Sequence, residues 1–168
     1  MPASPLQLAG QAVIYAGFGV FLGYFASNPA YTHMDPNASA ITLSFGHAGA
    51  RKGPCRRLTP EEIAALPANM RRPVDCPRER VALLVELEVD GEQVYRDFRK
   101  PSGLAGDGAS TVYERFTVSP GRHRITARLR DSAREEGFDY ELDEIVELAP
   151  GKNLVIDFRA ETGGFKLL

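Results

Sequence analysis

RVALLVELEVDGEQVYRDF, residues 80–98, decides how this chain of 168 residues is read. Leu83, Val85, Leu87 and Val89 alternate with Leu84, Glu86 and Glu88, a period of two that puts one set on each face of an extended segment and predicts a half-buried β-strand. Asp90-Gly91 follows, and this dipeptide favours a two-residue hairpin because both central positions of the tightest such turn need positive φ. Val94 to Phe98 then reads as the returning strand.

The same signature recurs along the chain. Ile41 to Phe45 reads as an earlier strand, and Thr111 to Val118 as a later one, after a loop rich in Gly and Ser over Pro101 to Ser110. Ile125, Ala127 and Leu129 alternate with Arg124, Thr126, Arg128 and Arg130. Phe138, Tyr140 and Leu142 alternate with Asp139, Glu141 and Asp143, and Leu154, Ile156 and Phe158 close the series. Two segments echo each other, VSPGRHRI (118–125) and LAPGKNLV (148–155). In each, Pro fixes φ at the first central position of a type II turn and Gly accepts positive φ at the second. About seven short strands at regular spacing predict a mainly β domain built as an antiparallel β-sandwich. One short helix is expected, with Thr59 as N-cap, Pro60 first in the helix, Glu62 completing a capping box and Pro67 as the stop.

The Pro-Gly turns leading into alternating strands make residues 81–160 resemble the immunoglobulin-like and PEGA-type modules of bacterial envelope proteins. The resemblance covers about half the chain, and it implies an Ig-like fold with a binding or spacing role rather than an activity.

Ahead of this domain, Leu6 to Ala26 runs without a charged residue. As a helix it would be roughly 30 Å long, the thickness of a bilayer's hydrocarbon core. A cleaved secretory signal is the rival reading, but it wants a basic start, a shorter apolar core and a nearby small-x-small site. Met1 to Pro5 lacks Lys and Arg, and Ala38-Ser39-Ala40 lies far past the run, so a transmembrane anchor is expected. Ala12, Ala16, Gly19 and Gly23 share one helical face. In lipid, close backbone approach over such small residues drives helix association. Phe18, Phe21, Leu22 and Phe25 would then face lipid or a partner's flank, with Tyr24 and Tyr31 at the interface. The expected partners are other transmembrane helices, subunits of a membrane complex, membrane lipid or a second copy in a homodimer.

These readings divide the chain into an anchor (1–26), a tether (27–40) and a β-sandwich domain (41–168), the last with a basic loop-and-helix segment (41–80) and a sheet core (81–168). Formal charge divides the chain into three blocks of its own, at −1 for residues 1–50, +4 for 51–80 and −5 for 81–168. The basic residues closest to the span begin only at Arg51, so the positive-inside bias is silent on orientation. Cys55 and Cys76, an even and local pair, suit a disulfide, and disulfides persist in oxidising compartments. Together these point to a single-pass protein of a bacterial inner membrane with its C-terminal domain in the periplasm.

In the basic block, Arg51, Arg56, Arg57, Arg71 and Arg72 are candidates for contacting an acidic partner or acidic headgroups, with internal pairing to the acidic sheet as the alternative. Nucleic acid is not expected, because net charge is −2 and the block lacks interleaved aromatic residues. A soft-metal site joining a cysteine to His47 is the competing reading of the thiols, but no C-x-x-C or H-x-x-x-H spacing accompanies it. His33 and Met34 read as loop residues and His123 as a surface residue. Arg124, Arg128 and Arg130 read as cross-strand partners of Asp139, Glu141 and Asp143. No G-x-S-x-G and no C-x-x-C-H occur. Catalytic, cofactor-binding and metal-ligating residues are therefore not expected. The leading expectation is an accessory or assembly subunit acting through protein–protein interaction in an inner-membrane complex, a layout shared with small anchored accessory proteins of respiratory oxidases. A periplasmic module binding a metal, a cofactor or an envelope polymer is the alternative.

Overall fold

Residues 4–28 and 35–168 are described by the computed structural model, and the chain divides into two units, Met1–Asp35 and Pro36–Leu168. Tyr31, His33 and Met34 lie outside the described residues.

The first unit is helix α1, Pro5–Ser27. It starts one residue before the apolar run because Ser4 caps it: the Ser4 hydroxyl accepts from the Gln7 amide and the Gln7 side chain accepts from the Ser4 amide. Pro5 at the first helical position has no amide hydrogen to leave unbonded. At its far end the Asn28 amide donates to the Tyr24 carbonyl. No side chain of α1 is buried. At 23 residues it is long and apolar enough to cross a membrane.

The second unit is mainly β. Its elements are β1 (Ser39–His47), β2 (Arg56–Arg57), α2 (Pro60–Ala65), β3 (Val74–Asp75), β4 (Leu83–Val89), β5 (Glu92–Arg99), β6 (Ser110–Val118), β7 (Gly121–Arg130), β8 (Tyr140–Leu148), β9 (Asn153–Arg159) and β10 (Gly164–Leu167). One four-stranded sheet has the order β10-β9-β1-β6 and the other β5-β4-β7-β8, while β2 and β3 form a separate ribbon. The described residues thus hold ten strands against the seven expected, because β2, β3 and β10 are too short to show a period of two. The tether ends sooner than expected, since Ser39 and Ala40 already belong to β1.

The hairpin at Asp90-Gly91 forms as predicted, with φ of 55° and 83° at the two residues. A register shift between Leu87 and Glu88 marks a bulge in the same pair. Helix α2 also starts as predicted, with the reciprocal Thr59–Glu62 capping box in place. The Pro-Gly motifs join strands of different sheets: each carries the chain from one sheet to the other, β6 to β7 and β8 to β9. The second is a closed turn, with the Lys152 amide on the Ala149 carbonyl at 3.1 Å and φ of 73° at Gly151. At the first, Gly121 already begins β7.

Two expectations are corrected. The sheets are not wholly antiparallel, because β1 and β9 run parallel, Ala40 opposite Asn153 through Leu43 opposite Ile156. Alternation along a strand is the same for either direction, and no turn links two strands over a hundred residues apart. Nor is β4 half-buried. Leu83, Val85 and Leu87 face a core shared with Ile41, Leu43, Val112, Ile125, Leu129, Ile156 and Phe158, yet Leu84 and Glu86 on its other face are also buried. Strand β4 lies between β5 and β7, and long arginines from those neighbours, Arg96 and Arg128, reach the Glu86 carboxylate from either side.

Candidate functional site

Along α1, Ala12, Ala16, Gly19 and Gly23 are all exposed, and a Cβ built on Gly19 or Gly23 meets no atom within 4 Å. Around these residues the apolar side chains are equally open, Val13, Phe18 and Val20 among them.

In the second unit, Cys55 and Cys76 form a disulfide. The bond sits beside the β2–β3 ribbon, in which Arg56 pairs with Asp75 and Arg57 with Val74, and together they close the loop that carries α2. Both thiols are consumed, and His47 is engaged elsewhere: its Nε2 lies 2.7 Å from an Asp131 carboxylate oxygen and its ring packs against Phe158. With both sulfurs in the disulfide, neither cysteine offers a free thiolate beside His47 in this structure. Among the described residues no three His, Cys, Asp or Glu side chains converge in a way that could hold a metal ion.

The basic block pairs within itself more than with the sheet. Arg56 pairs with Glu62 at 2.7 Å, Arg72 with Asp75 and Lys52 with Glu79. Among the described residues Arg78 reaches a carboxylate beyond the block, Asp107 at 2.5 Å. Arg51 and Arg71 donate to carbonyls, those of Pro77 and Leu66, and Arg57 forms no side-chain ion pair with any described residue. The Arg56 guanidinium, through its hydrogen bond, holds the Glu62 carboxyl below the usual carboxylate range.

On the outer face of the β5-β4-β7-β8 sheet, Arg124 pairs with Asp143 as expected, through two hydrogen bonds. The other two arginines make their closest contacts elsewhere. Arg128 turns to Glu88 on β4 at 2.5 Å, and Arg130 donates to the Glu135 carbonyl. Asp139 instead accepts from the Asp131 and Ser132 amides and the Ser132 hydroxyl. Strand β7 has neighbours on both sides, and alternation in one strand does not say which neighbour its arginines will choose. A groove of about 540 Å³ runs over this charged face between Asp90, Arg124, Arg128 and Asp143.

His123 is buried, not on the surface as its position after a turn implied. Its Nδ1 is 2.7 Å from Asp90 Oδ2 and its Nε2 is 2.8 Å from the Ser119 carbonyl oxygen. Both partners are acceptors, an arrangement that favours hydrogen on both ring nitrogens and so the imidazolium form. The Asp90 hydrogen bond raises His123 above the ordinary imidazole value, against the opposing effect of burial. Asp90 is lowered in turn, first by the Arg124 amide and then by His123. The result is a charged clasp between the β4–β5 turn and the β6–β7 corner. Sequence could not have found it, because 33 residues separate the two side chains and no motif joins them.

Two features stand out in the described residues, the exposed small-residue face of α1 and the arginine-rich segment at the disulfide. No protein-family model, no curated protein and no solved structure matches the chain.

Proposed function

We propose that this protein is a single-pass membrane protein of the bacterial inner membrane, anchored by α1, with its β domain in the periplasm. It works by protein–protein interaction as an accessory or assembly subunit of a membrane complex. One observation carries the reading. Helix α1 is 23 residues long and wholly uncharged, has no buried residue, and carries Ala12, Ala16, Gly19 and Gly23 along one face. A helix of this kind is unstable in water and complete only in lipid or against another helix. The Cys55–Cys76 disulfide supports an oxidising compartment for the second unit. A β-sandwich of immunoglobulin-like or PEGA type is supported by two four-stranded sheets around one core. The likeness is architectural, because β1 and β4 lie in different sheets here, whereas the constant-type immunoglobulin domain keeps its first two strands in one.

The test is purification of the tagged full chain from membranes in mild detergent, beside a Gly19→Leu/Gly23→Leu variant. Associated membrane subunits are expected with the parent and lost from the variant. A chain that leaves the membrane in alkaline carbonate sinks the anchor. One that stays in the membrane but runs alone in both forms sinks the complex.

A further inference from the structure

We propose that the hollow at the disulfide ribbon, lined by Arg51, Arg72, Val74, Cys76 and Arg78, binds a phosphate group. Three of these five lining residues are arginines and none is acidic. The hollow measures about 350 Å³. A water molecule occupies about 30 Å³ in the liquid, so the space admits a phosphate with the first atoms of whatever carries it.

The guanidinium groups are held without being used up. Arg51 Nη1 donates to the Pro77 carbonyl at 2.8 Å, and its backbone is bridged to Arg80. Arg72 pairs with Asp75 and Arg78 with Asp107, the nearest nitrogen being Nη2 in each. A guanidinium carries five N–H donors in a rigid fork, so every one of the three keeps donors in hand after these contacts. Asp75 and Asp107 offset two of the positive charges, and Arg51 has no carboxylate partner among the described residues. The group therefore keeps a net positive charge in a structured wall. The Cys55–Cys76 bond and the Arg56–Asp75 and Arg57–Val74 pairings make that wall stiff, which lowers the entropy lost on binding.

All three positions hold arginine rather than lysine. A phosphate offers several acceptor oxygens at once, matching forks supplied by three separate segments of chain around one hollow, whereas a carboxylate is satisfied by one. The phosphate has two sources, a lipid headgroup or free phosphate. The headgroup source rests on the membrane reading above; the anion chemistry does not.

The full chain, with ¹⁵N-labelled arginine in a neutral detergent, is titrated with inorganic phosphate while the arginine Nε–H resonances are followed. Saturable shifts of Arg51, Arg72 and Arg78 with one common Kd are expected. Arg51→Ala should raise that Kd about tenfold, the scale of one lost charged contact. Arg51→Lys keeps the charge, loses the fork and should weaken binding nearly as much, in a protein whose remaining spectrum is unchanged. Arg57→Ala, outside the hollow, should leave Kd alone. In a second arm the chain is placed in nanodiscs of phosphatidylcholine with or without phosphatidylglycerol. Shifts of the same three arginines only with phosphatidylglycerol assign the headgroup, and a response to inorganic phosphate alone assigns the free anion. Silence in both arms overturns the site, as does an equal loss in Arg57→Ala, which would mark diffuse surface charge. A chain that fails to enter either nanodisc overturns the membrane reading while leaving the phosphate arm to stand.

Discussion

Glu86 offers the sharpest test of the energetics, because it is a carboxylate with 4% of its surface exposed, on the outward face of a central strand. Arg96 Nη1 lies 2.8 Å from its Oε1 and Arg128 Nη1 3.7 Å from its Oε2. Oε1 nevertheless makes no aligned hydrogen bond, so the attraction there is Coulombic without the directional bond that normally offsets desolvation. Breaking a fully buried pair by removing one partner costs about 3–5 kcal/mol. The Arg96 side chain is 54% exposed and Arg128 remains nearby, so Arg96→Ala should cost less, about 1–2 kcal/mol. Glu86→Leu goes the other way. It removes the desolvated carboxylate beside buried Leu84, frees Arg96 to water and leaves Arg128 with Glu88, and it should stabilise by about 1 kcal/mol. In that background Arg96→Ala should cost under about 0.5 kcal/mol, since its partner is gone. Urea unfolding of the four full-length proteins in one detergent, followed by the β-sheet circular dichroism signal, gives the cycle from midpoints at constant m. An equal cost of Arg96→Ala in both backgrounds would refute the argument, because Arg96 would then act by packing alone. Destabilisation by Glu86→Leu would refute it from the other side.

Three further outcomes are expected. His123 has a raised pKa in the folded protein, so its contribution is complete below the ordinary imidazole value of about 6.5 and is lost as pH rises through the folded value; Asp90, being lowered, loses its share only in acid. Thermal melts from pH 5 to 9 should fall with rising pH in the parent and flatten in His123→Gln, and parallel curves would count against the clasp. Reducing the Cys55–Cys76 bond, which closes a loop of 21 residues in sequence separation, should lower stability by about 3 kcal/mol, seen as an earlier urea midpoint; an unmoved midpoint would show that α2 and the ribbon need no staple. Gly151→Ala places a Cβ at φ of 73° and should cost about 1 kcal/mol, whereas Gly46→Ala, at ordinary φ with open space around it, should not; the two melting temperatures decide this.

Local features proved legible and pairings did not. Leu83 to Val89 with Asp90-Gly91, and Thr59-Pro60 with Glu62, carry their instructions within a few residues, and each forms where its sequence indicates. The pair of cysteines was legible for the same reason, being local and even in number. Strand partners are different. Nothing near Ile41 announces that it will lie beside Leu154, and nothing at Arg128 chooses Glu88 on one neighbour over Glu141 on the other. Burial of Glu86 follows from which strands flank β4, so it was hidden for as long as the topology was. Among the basic residues, sequence supplied the block, but only the folded ribbon separates Arg51, Arg72 and Arg78, which share a hollow, from Arg56 and Arg71, which do not line it.

The place of β1 has a consequence for how the chain is made. Its two neighbours in the sheet are β6 and β9, so the first strand of the domain is seated between partners that emerge late, and Ser39 bonds a carbonyl 110 residues away. During synthesis the edge of β1 that pairs with β6 waits for residues 110–118, and the edge beside Ile41 and Leu43 that pairs with β9 waits for residues 153–159. A strand in that condition is the chain's point of exposure to aggregation and to proteases. Interrupted synthesis or truncation before β9 should leave that liability uncovered, so quality control of this protein turns on its last strands reaching its first.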